Sequence, residues 1–309
     1  MGKLKKEKKV ITNSPITLTK TFKSASYHLF LYMITQFLVM FFVVIGFAID
    51  YMISNYKLLS MQYTSEQMAT RTLAVVVQER IGPIYVATLL ISGALTIYML
   101  YKRLAKDEER LQIKKISFVE LSTYLGLGVL LNLMISGLLN AISSFTTLES
   151  SETLTTALQQ VLECNFFVVL LAIGIIAPIV EELTFRYGIF GPISKVSPKL
   201  AIAISGLVFG LIHANLVQST YATLLGFLFA FVYYKSKNLT YTIILHIAIN
   251  SSSVICSKLF ASEFEGLTVC TFVALVMVLV SALLNLMNKK KQAIEENMQN
   301  LVEKVPQKQ

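Results

Sequence analysis

Long apolar runs separated by short polar stretches make up most of the chain, and several approach the roughly 20 residues with which a helix crosses a bilayer. They predict eight membrane-spanning helices, at 28–49, 84–101, 117–142, 161–190, 200–217, 219–234, 240–257 and 266–287. The first run, Leu29–Ile49, is longer than the apolar core of a secretory signal and has no small-residue cleavage site, so it reads as a retained span. Residues 50–83 are of mixed polarity and read as a long extracytoplasmic loop. Pro192 and Pro198 bracket the turn between the fourth and fifth spans, because proline does not continue a helix interior. The pattern divides the chain into a polar tail over 1–26, a three-span region over 27–159, a core over 160–257, and a last span with a polar tail over 258–309. In that last tail Ile294, Met298, Leu301 and Val302 are spaced as in a short amphipathic helix at the membrane interface. No internal repeat interrupts this plan.

With 55% hydrophobic and 15% charged residues, a soluble globular domain is excluded. The expected fold class is all-α, a polytopic membrane protein with about eight transmembrane helices. The net charge of +9 raises nucleic acid as a partner, but the basic residues cluster in the tails and alternate loops, where they orient a membrane protein. The tail 1–26, the loop 102–115, the turns 191–199 and 235–238 and the stretch Lys289–Lys291 are basic, whereas 143–160 and 214–218 contain no Lys or Arg. Both termini are therefore expected in the cytoplasm, with the lipid bilayer as a partner and no nucleic acid. Cys164, Cys256 and Cys270 lie in or beside apolar runs at no metal-ligand spacing. They read as buried packing thiols, and an odd count speaks against a disulfide framework.

Three stretches place ionisable or hydrogen-bonding side chains inside apolar runs, where such groups are costly and mark function. Pro178–Arg186 reads P-I-V-E-E-L-T-F-R, Leu207–His213 reads L-V-F-G-L-I-H, and Leu245–Asn250 reads L-H-I-A-I-N. Glu181 and Glu182 project about 100° apart on a helix, so they do not serve one point equally. Arg186 stands four residues after Glu182, the favourable ion-pair spacing, which leaves Glu181 without a partner on its own helix. An unpaired carboxyl in apolar surroundings suits general acid–base work near neutral pH. Phe209 and His213 share a helical face, and Gly206 and Gly210 on that face let another helix approach the imidazole. His246 and Asn250 also share a face and can offer two donors to one point, as a developing oxyanion requires. Taken singly, each has a plainer reading: a helix-end salt bridge, a satisfied core histidine, or polar glue between helices. Depth argues for one site instead. Glu181 and His213 are equally far in sequence from Ser197, so antiparallel helices joined there bring both to roughly 20 Å above the turn. Asn250 falls near the same level and His246 one turn below it. The active site is thus expected inside the helix bundle.

There is no H-E-x-x-H, and Asp50 and Asp107, the only aspartates, fall outside the predicted spans, which excludes a helical zinc-protease motif and an aspartyl dyad. Ser205 and Ser251 to Ser253 lie nearby, but no activating motif surrounds them.

The three stretches resemble the signature of the CAAX-protease and bacteriocin-processing (CPBP, or Abi) family of intramembrane proteases. Its motifs E-E-x-x-x-R, F-x-x-x-H and H-x-x-x-N stand here as Glu181-Glu182-x-x-x-Arg186, Phe209-x-x-x-His213 and His246-x-x-x-Asn250, in order and complete. The resemblance covers about 160–257 and implies hydrolysis of a peptide bond within the membrane. Glu181 with His213 would activate water, His246 with Asn250 would hold the oxyanion, and Glu182 with Arg186, beside Phe209, would support the site. Family members are described both as metalloproteases and as metal-free glutamate proteases. Glu181, His213 and His246 are of the types that ligate zinc, but Asn250, paired by spacing with His246, is a poor zinc ligand, so no cofactor is assigned.

The partner implied is a peptide or membrane-protein substrate, and a bacterial plasma-membrane location is expected by analogy. The pattern sets no oligomeric state. A non-enzymatic scaffold or bacteriocin-immunity protein of the same fold is the alternative, and it predicts that Glu181→Gln keeps function. A proton-coupled transporter would use the same groups, but it should show a polar pathway in the other half and an inverted repeat, and neither is present.

Overall fold

A computed structural model describes residues 18–104, 115–145, 159–213 and 216–259, with positions 271, 276–278, 280–285, 287, 288, 290–296 and 298 beyond them. Residues 1–17, 105–114 and 146–158, and much of the predicted span 266–287 and of the final tail, lie outside the described residues. Among the described residues the regular structure is entirely helical. Seven helices carry the fold: α1 (Leu18–Gln62), α2 (Ser65–Leu104), α3 (Phe118–Phe145), α4 (Phe166–Ser194), α5 (Pro198–Leu211), α6 (Leu216–Ser236) and α7 (Leu239–Leu259). All but α5 are long and apolar enough to cross a membrane, six such helices among the described residues. The protein is an integral, multi-pass membrane protein.

The stretch 50–83 is not a loop. Only Tyr63 and Thr64 interrupt helix there, so α1 and α2 form a hairpin whose arms of 45 and 40 residues far exceed a bilayer crossing. No glycine or proline breaks 50–81, and a capping box closes the turn. In it Thr64 Oγ1 accepts from Gln67 N at 3.4 Å, while Gln67 Oε1 accepts from Thr64 N at 3.0 Å. Ser117 and Glu120 cap α3 in the same reciprocal way. Pro83 sits inside α2, where a side chain from elsewhere engages the adjoining turn. The Gln160 amide donates to Gln78 O at 2.6 Å and accepts from Gly82 N at 3.3 Å. A Cβ on Gly82 would lie 2.4 Å from the Gln160 backbone, so glycine is required at this approach.

Helix α4 is the centre of the bundle and packs against α1, α2, α5 and α7. It starts at Phe166, not at 161, because Cys164 and Asn165 break the helix and the Asn165 side chain caps Phe167 N and Val168 N. Two stretches of α4, Leu170–Ile176 and Leu183–Phe190, are π-helical, with the α-helical Ala177–Glu182 between them. The predicted break at Pro192 is absent, and the helix runs on to Ser194. The π turn before it sends Gly191 N–H to Arg186 O, five residues back, so the backbone enters the proline in a widened turn. Pro198 does open a helix, after Ser197 caps Leu200 N at 3.3 Å.

Helix α5 is shorter than the predicted 200–217. Its last turn tightens, with His213 N bonding to Gly210 O, and the His213 ring takes Phe209 O, which ends the helix at Leu211. Its glycine face meets α6: a Cβ on Gly206 would lie 2.1 Å from the Phe227 ring, and one on Gly226 would lie 2.9 Å from the Gly206 backbone. Lys237 turns the chain from α6 into α7 with φ 51°, and Asn238 Oδ1 then caps Thr240 N. Cys164 is a free thiol, but Cys256 is disulfide-bonded, contrary to its reading as a packing thiol. An odd cysteine count rules out complete pairing, not a single bridge.

Candidate active site

The short α-helical piece between the two π stretches carries Glu181 and Glu182 at its end. Glu182 and Arg186 are both fully buried. Arg186 Nε lies 3.0 Å from Glu182 Oε2, and Nη2 donates to Glu182 Oε1 at 3.2 Å. This two-point contact holds Glu182 as an ionised acceptor. The third arm of the guanidinium, Nη1, donates to Ser205 Oγ on α5 at 2.9 Å, and the Ser205 hydroxyl in turn donates to Phe185 O at 3.1 Å.

His246, on α7, lies between the two glutamates. Its Nδ1 donates to Glu182 Oε1 at 3.2 Å, and its Nε2 lies 3.6 Å from Glu181 Oε2. The Glu181 side chain keeps 13% of its surface exposed, against none for Glu182, so Glu181 is the carboxyl a reactant can reach. With two acids, one arginine and the imidazole in contact, neutrality requires one proton more in the Glu181–His246 pair than a carboxylate and a neutral imidazole carry, and an uncompensated buried charge is costly.

His213 is half-buried at the end of α5. Its Nδ1 donates to Phe209 O at 2.8 Å, which places a hydrogen on Nδ1 and turns Nε2 away from that carbonyl. Glu181 interacts electrostatically with His246 and then with His213. Asn250, one turn along α7 from His246, is held by a backbone carbonyl of α4. Its Nδ2 donates to Ile173 O at 3.1 Å, and its neighbour Ser251 donates to Gly174 O at 3.1 Å. Both acceptors belong to the first π stretch, whose displaced backbone offers carbonyls to a neighbouring helix. One amide hydrogen of Asn250 remains beyond that bond.

Two phenylalanines enclose the charged groups. The rings of Phe209 and Phe229 lie 5.1 and 5.4 Å from the Arg186 guanidinium carbon. The same rings lie 5.7 and 4.9 Å from the His246 ring, Phe229 at an interplanar angle of 31°. Phe209 also meets Phe185 and His213 edge to face. Sequence reasoning named Phe209 and missed Phe229, which stands in an ordinary apolar stripe of α6. Tyr32 on α1 and Tyr85 on α2 were missed as well, although both phenols interact electrostatically with Glu181. Because Phe229 touches both His246 and Arg186, Phe229→Leu is expected to lower stability by about 1–3 kcal/mol. Thermal unfolding in detergent checks this, with Phe231→Leu on the exposed side of α6 as the near-silent control.

Glu181, His213 and His246 are the residues a zinc ion would take, yet no three His, Cys, Asp or Glu side chains among the described residues are arranged to hold a metal. His246 Nδ1 is committed to Glu182 and its Nε2 to Glu181.

Residues 163–252 match a family model described as type II CAAX prenyl endopeptidase Rce1-like. Among curated proteins, "Putative membrane peptidase YdiL" of Bacillus subtilis (strain 168) is 39% identical over 83 residues, 26% of this chain and 34% of that protein. The "UPF0177 protein YxdF" of Lactococcus lactis subsp. lactis (strain IL1403) is 35% identical over 94 residues, 30% of this chain and 52% of that protein. The chain thus spans about a third and about half the length of these two relatives. No solved structure matches. The matched stretch contains all three motifs, from Glu181 to Asn250.

Proposed function

We propose that this membrane protein, whose residues 163–252 are of the CAAX-protease and bacteriocin-processing type, is an intramembrane endopeptidase of the glutamate type. The observation that carries the reading is the reachable Glu181 carboxylate set 3.6 Å from His246 Nε2, with the other acid already neutralised by Arg186. Glu181 takes a proton from a water molecule steered by the lone pair of His213 Nε2, and the hydroxide adds to the substrate carbonyl. The oxyanion accepts from protonated His246 Nε2 and from the second amide hydrogen of Asn250. The proton held by Glu181 passes to the leaving amine as the C–N bond breaks, and the oxyanion returns to a carbonyl. Glu182 and Arg186 keep His246 in place throughout.

The substrate is a peptide or a membrane-associated protein, and the matched family points to prenylated C-terminal peptides as one class to try. A bacterial plasma membrane is the location proposed by analogy, and the placement of basic residues favours both termini in the cytoplasm. Purified full-length protein is incubated in lipid vesicles with prenylated and unprenylated peptides and with a library of apolar peptides, with and without a chelator. Cleavage that survives chelation supports the glutamate mechanism, and cleavage lost on chelation and restored by zinc replaces it with a metal-dependent one. If no peptide is cut while Glu181→Gln still complements a deletion in cells, the protein is a scaffold or immunity protein and the enzyme reading falls.

A further inference from the structure

We propose that Ser205 is a positioning residue for this site, acting through Arg186 and Glu182 to hold the Nδ1–H of His246 and so the direction of its Nε2. The contacts form an unbroken chain. Ser205 Oγ gives its own proton to Phe185 O at 3.1 Å, so its lone pairs face the other way, toward Arg186 Nη1 at 2.9 Å. That bond fixes the one arm of the guanidinium that Glu182 does not hold. The guanidinium is planar, so pinning Nη1 sets the angle at which Nε and Nη2 present to Glu182. Glu182 Oε1 accepts from both Arg186 Nη2 and His246 Nδ1, so its orientation keeps a hydrogen on Nδ1 and sets the tilt of the ring. With Nδ1–H held, His246 can only turn Nε2 to Glu181.

Every member of this chain except Glu181 is at least nine-tenths buried, so water does not stand in for a lost hydroxyl. Ser205 also ties α5, which ends two residues before His213, to the π stretch of α4, across 19 residues of sequence. A hydroxyl is the group this place needs, because it must accept and donate at once.

The effect on catalysis rests on the endopeptidase reading, but the effect on His246 does not. The chain has only three histidines, His28, His213 and His246, so 15N-histidine labelling of the full-length protein gives three ring systems. His28 and His213 each donate Nδ1–H to a backbone carbonyl and serve as internal references for that form. His246→Gln assigns the third. Ser205→Ala should move the His246 Nδ1 signal away from its hydrogen-bonded Nδ1–H position or broaden it by exchange, while the other two rings stay in place. Ser205→Thr, which keeps the hydroxyl, should retain the wild-type His246 signal.

If the protein cleaves peptides, Ser205→Ala should lower kcat by about 10-fold to 100-fold with KM unchanged, as a misplaced catalytic group does. A purely structural serine would lower the yield of folded protein and leave both the ring signal and kcat of the folded fraction unaltered, and that result overturns the proposal. If nothing is cleaved, the ring signal alone decides. Should Ser205→Ala fail to accumulate, Ser205→Cys keeps the volume, weakens the acceptor and is read in the same way.

Discussion

Replacing Glu181 with glutamine is expected to lower peptide cleavage by about 10²-fold to 10⁴-fold, the usual contribution of a positioned general base. Glutamine keeps the shape and can still accept from His246, so the fold and the position of α4 should survive. What is lost is the ability to take a proton from water and return it to the leaving amine. The deficit should fall on kcat, with KM close to wild type, because the carboxylate is asked to act on water rather than to bind the peptide. Single-turnover assays in vesicles, beside a thermal unfolding curve for each protein, separate this outcome from general damage. A variant that unfolds normally and cleaves at the wild-type rate would remove Glu181 from the mechanism.

The largest effect on stability is expected at Arg186. Arg186→Met removes the only guanidinium that meets Glu182 and leaves a carboxylate buried without its counter-charge, a loss of about 3–5 kcal/mol. The two phenyl rings that flank the guanidinium still have an apolar group to pack against, so packing alone does not account for a loss of that size. Pairing the change with Glu182→Gln should restore more than half of the stability. The neutral amide needs no counter-charge, and its carbonyl still accepts from His246 Nδ1. A double-mutant cycle on melting temperature in detergent measures the coupling. Additive losses would mean that the two side chains do not form the unit described.

What could be read from the chain beforehand was whatever repeats along one helix. Glu182 and Arg186 stand one turn apart and meet, and His213 and Phe209 meet by the same spacing. The rotation of one helix against another leaves no such trace. The depth argument set Glu181 beside His213, whereas the nearer imidazole is that of His246. Asn250 was assigned by its face on α7, but the carbonyl of Ile173 that it meets belongs to a π stretch, and no hydrophobic period marks a single widened turn. Phe229 and Ser205 resemble any apolar or small residue of a buried helix until their partners are seen. The helical hairpin of α1 and α2 was more legible than the loop reading allowed, because 50–81 contains no breaker and Thr64 with Gln67 forms a capping signature.

The brevity of α5 has a consequence for how the protein is made. Its 14 residues rise about 21 Å, short of the roughly 30 Å of hydrocarbon that a newly made segment must satisfy to settle in lipid alone. Its polar atoms, above all Ser205 and His213, make solitary entry still less favourable. The glycine seam supplies a companion: Gly206 and Gly226 touch through their backbones, so α5 and α6 fit as one preformed pair. By its length and polarity α5 is therefore expected to enter the bilayer together with α6 rather than alone. Until then the F-x-x-x-H stretch waits outside the bilayer, and the site is assembled only when the later helices arrive.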